Sequence, residues 1–305
     1  MGHKEIYVET SISAPIDEVW KKTQNPSLHE QWDIRFSSIT YLPKIDNEPQ
    51  KFTYTRSLFP GLEISGWGIS VGNHEKSDGT KSSSLHFGTP QKISPIREGR
   101  GYWQYIPKDN REVTFLTSYN YETNFGRLGK LLDTFIFRPL MGWGTALSFD
   151  ILKRWIEKGE SPSSQYMRFF MTYSFSLFFA FVWIFHGLVP KIIAMHPEEL
   201  MMTGQLFSIE GSLLQKLIIT IGFLEITFGL IWLFYPSKRH LFIVQCVLFP
   251  ILMLSAIINN IQAAMHPFSP ITFNLALILI SIIGFLVSED TPTAKSCSRR
   301  RASDA

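Results

Sequence analysis

Residues 169–190 read FFMTYSFSLFFAFVWIFHGLVP, 22 positions without a formal charge between Arg168 and Lys191. As an α-helix rising about 1.5 Å per residue, this run covers about 30 Å, the thickness of a bilayer's hydrocarbon core. It is apolar on every side and lacks the single stripe by which a soluble bundle helix faces its core. Three similar runs follow: 217–235 with Glu225 as its one charge, 241–265 with Pro250 inside it, and 271–288. The sequence therefore predicts four membrane spans within residues 169–288.

Charge confirms the break in solvent. The first 168 residues carry 21 Lys/Arg and 19 Asp/Glu, whereas 169–288 carries 4 of each. The whole chain, 305 residues with a net charge of +3, has no extended basic footprint, so nucleic acid is excluded as a partner. The two cysteines, Cys246 in an apolar run and Cys297 near the end, cannot build a disulfide framework or a four-cysteine zinc site. His186, His196 and His266 have no metal-ligand spacing, and no metal or cofactor is expected. The first 30 residues mix apolar and charged positions without a continuous apolar run, so no cleaved signal peptide is expected.

Cations set the expected orientation. Lys153, Arg154, Lys158, Arg168, Lys238, Arg239, Lys295, Arg299, Arg300 and Arg301 flank the spans on one side, and only Lys191 and Lys216 on the other. The positive-inside bias predicts a cell-membrane protein with both termini in the cytoplasm. The basic tail, 289–305, reads as a topology flank near anionic headgroups. In the outer connection, Pro197 followed by Glu198 and Glu199 is a sound helix start, and Leu200, Met201, Leu206 and Phe207 suit a short helix on the interface.

Glu225 stands eight residues into its span, about 12 Å deep by helix rise, where an ionised group costs about 3 kcal/mol unless it is paired or turned inward. His186, Asn259 and Asn274 fall at comparable depth on the other three spans, and Lys191 flanks the first. A closed bundle would bring His186, Lys191, Glu225, Asn259 and Asn274 together as an intramembrane polar site, or use the amides as interhelical packing bonds.

The region 1–158 reads differently. Residues 5–12 alternate Ile6, Val8, Thr10 and Ile12 with polar partners, as in a half-buried strand. A helix start follows, with Ser13 as a possible cap before Pro15, Asp17 and Glu18. Strand-like runs lie at 52–58, 62–71, 83–87, 99–106 and 113–122, with aromatic residues on one face of several. From Arg127 to Lys158 the period turns helical, with Leu128, Leu131, Leu132, Phe135 and Ile136 on one side and Pro139, Gly142 and Gly144 as expected points of bending. An antiparallel sheet curved around a long C-terminal helix is expected, joined by residues 159–168 to the all-α transmembrane bundle.

Certain segments also resemble known families. ISAPIDEVW, QWDIRFSSITYLP, REGRGYWQYIP and FRPLMGWGTALSFDILKRWIEKG resemble a START-like (SRPBCC, polyketide-cyclase-like) helix-grip domain. FHGLVPK, HPEEL, GFLEITFGL and HPFSPITFNLALI resemble a DoxX-like four-helix membrane protein. The first resemblance implies an α+β domain with a cavity between sheet and helix for a lipid, polyketide or quinone-like molecule. Trp67, Phe87, Trp103, Tyr105, Phe115, Tyr119 and Tyr121 are the candidate cavity wall, and His29, Asp33, Arg35, His86, Arg97 and Arg100 the candidate orienting or rim groups. The second implies an association with quinone-linked redox complexes and singles out His186, Lys191 and Glu225. Three readings stay open: a membrane-anchored module that binds a hydrophobic small molecule, a membrane subunit of a redox complex, and a cyclase- or isomerase-type enzyme. No Ser/His/Asp, Cys/His or phosphate-loop pattern identifies catalytic residues. The bilayer itself is the partner common to all three.

Overall fold

The alternation of Ile6, Val8, Thr10 and Ile12 forms strand β1 (Ile6–Ile12), whose residues are buried at every second position. The computed structural model of the chain describes residues 5–259, 265 and 269–301. β1 is followed by α1 (Ile16–Gln24), α2 (Pro26–Trp32), β2 (Ser38–Tyr41), β3 (Gln50–Phe59), β4 (Leu62–Glu75), β5 (Lys81–Gly88), β6 (Ile96–Asp109) and β7 (Glu112–Thr123). The strands form one seven-stranded antiparallel sheet in the order β1-β7-β6-β5-β4-β3-β2. α3 (Gly126–Leu132), a π-turn (Asp133–Phe137) and α4 (Arg138–Lys158) close it. This is the expected helix-grip arrangement.

Register fixes which side chains face inward. β6 and β7 pair Gly101 with Tyr119, Trp103 with Thr117 and Tyr105 with Phe115, and β1 sets Ile6 opposite Tyr119 and Thr10 opposite Phe115. Phe115 then stacks on Phe149 of α4 with ring centroids 4.4 Å apart. Opposite Phe52 and Tyr54 the sheet has Gly68 and Gly66, and each ring occupies the space a Cβ would need. These glycines let β3 aromatics lie flat across β4.

Three local expectations are corrected. Ser13 does not cap α1: the helix starts after Pro15, beyond the reach of the Ser13 hydroxyl, and the Ser13 amide donates to Glu157 Oε1 at 2.7 Å. The long helix is divided upstream of Pro139 by the π-turn, while Pro139 sits harmlessly in the first turn of α4. Gly142 and Gly144 lie inside α4 without breaking it, facing Ile6 and Ile34.

The first compact unit comprises Met1–Gln165 together with Pro292–Ala305. The basic tail thus belongs to the grip domain. Asp150 of α4, 6% exposed, accepts the amides of Thr293 (3.0 Å) and Ala294 (3.4 Å) and the Ser296 hydroxyl (2.6 Å). Ser298 exchanges two 2.9 Å backbone bonds with Glu9 of edge strand β1, and Arg301 reaches Glu5 at 3.1 Å. A tail that satisfies the open edge of a sheet removes a pairing hazard.

The second unit, Tyr166–Thr291, is helical: α5 (Pro162–Leu188, which begins in the first unit), a π-turn (Val189–Ile193), α6 (Pro197–Phe207), α7 (Gly211–Phe234), α8 (Lys238–Asn259) and α9 (Pro270–Val287). Four of these helices are long and apolar enough to cross a membrane. Phe179, Trp183, Trp232, Phe242 and Phe249 form its core. The expected short helix after Pro197 is α6, capped by the His196 ring, whose Nδ1 accepts from the Glu198 amide.

Asp150→Ala removes the acceptor of two amides and a hydroxyl, each bond to a charge contributing about 1.5–3 kcal/mol. Hydrogen exchange at Thr293, Ala294 and Ser298 in the full chain should speed roughly tenfold or more. Unchanged exchange would show that the tail is held by other contacts.

Candidate functional site

A cavity of about 160 Å³ lies between the inner face of the sheet, α2 and α4. Phe36, Tyr54, Phe87, Trp103 and Tyr119 supply its apolar wall, and Met141 of α4 closes one side. Thr23, Gln24, His29 and Arg35 supply its polar groups. Of the seven wall residues expected from sequence, Phe87, Trp103 and Tyr119 line it. Tyr105 and Phe115 stand behind it, both fully buried and stacked at 4.9 Å, with the Tyr105 hydroxyl bonded to Thr23 (2.7 Å) and Gln24 (2.9 Å). Tyr121 is turned to Asp133, to which its hydroxyl donates at 2.6 Å. Trp67 lies on the opposite face, since it alternates with inward-facing Gly66 and Gly68, and its ring packs on His86.

Two of these polar groups, His29 and Arg35, are held by Asp33 behind the wall. The asparagine at the start of α2, Asn25, accepts from the Ser27 amide and launches a helix that carries His29 one turn before its C-terminal Asp33. Asp33, 1% exposed, accepts Arg35 Nε (2.8 Å), Arg35 Nη2 (2.6 Å) and His29 Nε2 (3.0 Å). Burial would raise the Asp33 carboxyl, but Arg35 and His29 outweigh it and hold it well below the usual carboxylate range. Burial would lower Arg35, and Asp33 instead holds it above its ordinary value. Burial among Trp32, Phe36 and Trp103 pushes His29 below its ordinary value despite Asp33. His29 is therefore neutral near pH 7, and because a carboxylate only accepts, Nε2 carries the proton and Nδ1 remains an acceptor. Burial also pushes the Tyr54 phenol up to about 12. The one cation of the wall, Arg35, is thus neutralised by the carboxylate behind it.

The other expected orienting groups are elsewhere. His86 pairs with Glu98 at 2.6 Å, Arg97 with Glu122, and Arg100 aligns with His86 across β5 and β6 on the outer face. Arg97 and Arg100 line a broad open trough on that face of the sheet, and none of the three takes part in the cavity.

In the membrane unit, Lys191 and Glu225 meet at 3.1 Å, and Lys191 also reaches Glu199 of α6 at 3.3 Å. Gly187 and Gly222 make this possible, since each lies against the other's carbonyl and lets α5 and α7 approach closely. The Lys191 approach is off the line of a hydrogen bond, so Glu225 Oε2 has a compensating charge but no directed donor among the described residues. Two other expected members make different contacts. His186 packs its ring 5.6 Å from that of Phe273, and Asn274 donates to Pro270 O of its own helix at 2.8 Å. The side chain of Asn259 and all of Asn260, Gln262 and His266 lie outside what the structure describes. Glu199, read from sequence only as a helix-start acid, is the member that sequence reasoning missed; no periodicity marks it, because α6 must fold back before it can reach Lys191.

Comparison with known proteins fits this two-part layout. The "uncharacterized membrane protein YndG" of Bacillus subtilis strain 168 is 46% identical over 188 residues, which is 61% of this chain and 70% of that protein. The chain belongs to the YndG family. Residues 180–282 match the DoxX-like family, so that part of this membrane protein is a DoxX-like domain. Among solved structures, TTHA0849 of Thermus thermophilus is 14% identical, covering 52% of this chain and 100% of its own, with a TM-score of 0.40. Zhui aromatase/cyclase of Streptomyces sp. R1128 is 10% identical, covering 52% and 98%, with a TM-score of 0.37. Likenesses at that level transfer no activity.

Two measurements check the site chemistry. Because the folded-state values of both His29 and Asp33 are depressed, their contribution to stability is present above the unfolded values, near 6.5 and 3.9, and is lost as pH falls below each. Unfolding of the grip domain should therefore become easier from about pH 6.5 downward, and His29→Gln should remove the first part of that slope; an unchanged slope argues against a neutral, buried His29. In the bundle, Lys191→Met leaves two acids without their cation and should destabilise the detergent-solubilised protein by about 3–5 kcal/mol. Glu225→Gln, which leaves Lys191 still paired with Glu199, should cost less, and equal losses would contradict a shared cation.

Proposed function

We propose that the protein is a membrane-anchored binding module whose grip cavity holds a small, apolar, uncharged molecule, with both chain ends in the cytoplasm. The observation that carries this reading is that Arg35, which lines an aromatic cavity of about 160 Å³, is paired with the buried Asp33 behind it. A cavity of about 150 Å³ accommodates one benzene-sized ring, whereas drug-sized ligands occupy about 300–1,000 Å³. The cavity volume thus fits a single ring and not a whole lipid or polyketide. Its charge is balanced internally, so a charged ligand would be buried without a counter-ion, at a large desolvation cost. His29 Nδ1 can accept from a hydroxyl, and the aromatic walls suit stacking. A phenol or a quinone-type ring has that combination of size, neutrality and oxygen atoms.

The cytoplasmic placement rests on the cation bias and on an even number of spans, which returns the chain to the side it left. Four spans next to the domain keep it at the bilayer, where apolar molecules concentrate, and tethering raises the encounter rate without any new contact.

Native mass spectrometry of the full-length protein in nanodiscs, titrated with phenol and with 1,4-benzoquinone, tests the reading. One equivalent should bind, and Ser83→Leu, which fills the cavity from the inner face of β5, should weaken binding roughly tenfold or more. Equal binding by benzoate and phenol, or no effect of Ser83→Leu, would refute it.

A further inference from the structure

The helical stripe Leu128, Leu131, Leu132, Phe135, Ile136 and Leu140 repeats at intervals of three and four, the spacing by which a helix packs on a sheet. In the structure it points the other way. These six side chains are 48–75% exposed, while Gly129 and Asp133 on the opposite side of the same segment are buried. The inversion has a local cause. Asp133 is held inward by the Tyr121 hydroxyl at 2.6 Å and by Arg138 Nε at 2.9 Å, and Gly129 lies against the Asn124 carbonyl, where a side chain has no room. Polar bonds and a glycine fasten α3 and the π-turn to the domain, leaving the apolar side unpartnered.

Six large apolar side chains on one face make a patch of the kind that marks an interaction site. Its charges identify the partner. Between Gly126 and Leu140 the charged residues are Arg127, Lys130, Asp133 and Arg138; Asp133 is buried against Arg138, so the exposed charges are the two cations Arg127 and Lys130. An apolar stripe bordered by cations is the pattern of a helix lying in the headgroup layer of an anionic bilayer. A two-fold contact with a second copy would instead set Arg127 and Lys130 of both chains close together, with no exposed acid in the segment to offset them. The chain also enters its first membrane helix, α5, three residues after α4 ends, so the domain is tethered to the surface in question. We propose that α3, the π-turn and the first turn of α4 form an interfacial membrane-docking segment, with the six-residue stripe at the acyl boundary and Arg127 and Lys130 at anionic headgroups. This does not depend on what the cavity binds.

The test uses the full chain, in a Cys246→Ala, Cys297→Ser background, in nanodiscs of phosphatidylcholine with and without 30% phosphatidylglycerol. Nitroxides are attached through Leu131→Cys or Phe135→Cys, with Asp46→Cys in the exposed β2–β3 loop as the reference. In the anionic discs, labels at 131 and 135 should be relaxed by oxygen and shielded from a water-soluble nickel chelate, and the label at 46 should show the reverse. Arg127→Glu together with Lys130→Glu should lower the docked fraction roughly tenfold or more, since each cation near an anionic surface contributes about 1 kcal/mol and reversal changes the sign. Nickel access at 131 and 135 equal to that at 46 overturns the proposal. So does dipolar broadening between labels on two chains, which would assign the stripe to a second copy. Indifference to the charge reversal overturns the anionic-surface assignment.

Discussion

A backbone amide in hydrocarbon has no water to bond with, and this constraint shapes the whole C-terminal half of the chain. Four apolar runs answer it in the only way open to a run that short, as helices whose amides bond within themselves. Association of those helices cannot then draw on the hydrophobic effect, because lipid is as apolar as leucine, and it depends on close fit. Gly187 against Gly222, Gly229 against Ala180 and Ile184, and Gly284 beneath the Phe242 ring are the places where that fit is made. The first of these contacts brings Lys191 and Glu225 within 3.1 Å, so a packing requirement and an electrostatic one are met by the same pair of helices.

Buried and half-buried acids recur in both units, and three of them are compensated by different means. Asp33 is matched by a bidentate guanidinium and a neutral imidazole, Glu225 by an ammonium shared with Glu199, and Asp150 by the amides and hydroxyl of the returning tail. The consequences differ with the partner. The Asp33 network gives the cavity a polar wall without net charge, which favours neutral ligands. The Lys191 cluster leaves one cation between two carboxylates, so it ties α5, α6 and α7 together more than it offers an open site. Asp150 uses its charge to hold the tail, and with it a pairing partner for the edge strand β1.

Much of the architecture could be read from residue patterns. Apart from Glu5, the strand runs found from alternation lie within β1 and β3 to β7, and the four apolar spans and α6 follow from their apolar runs and from Pro197. Missed were β2, only four residues long, and α2, a single short helix without a full apolar period, although α2 carries His29 and ends at Asp33. The cavity wall was half legible for a geometric reason. Alternation says which residues share a face, so Phe87, Trp103 and Tyr119 follow from it, but it does not say which face is concave. Trp67 was assigned by its aromatic character alone, and the register with Thr53 sets it outside.

By itself the sequence determined where the chain changes solvent, because charge density and unbroken apolar length are local properties that no later contact can alter. It also determined the strand and helix periods that make a grip domain, since hydrophobic spacing is fixed residue by residue. Only the tertiary structure decided which of these groups meet. Arg35 was free in sequence to pair with any acid, Glu199 had no marked partner, the stripe on α3 carried no sign of which way it would point, and the basic tail had no reason to be sought on β1. Only the tail pairing with β1 spans nearly the whole chain, since Arg35 and Asp33 are two residues apart and Lys191 and Glu199 eight; in each case the free energy that selects one arrangement resides in the distance between two charges or the space left by a glycine, neither of which is encoded at a single position.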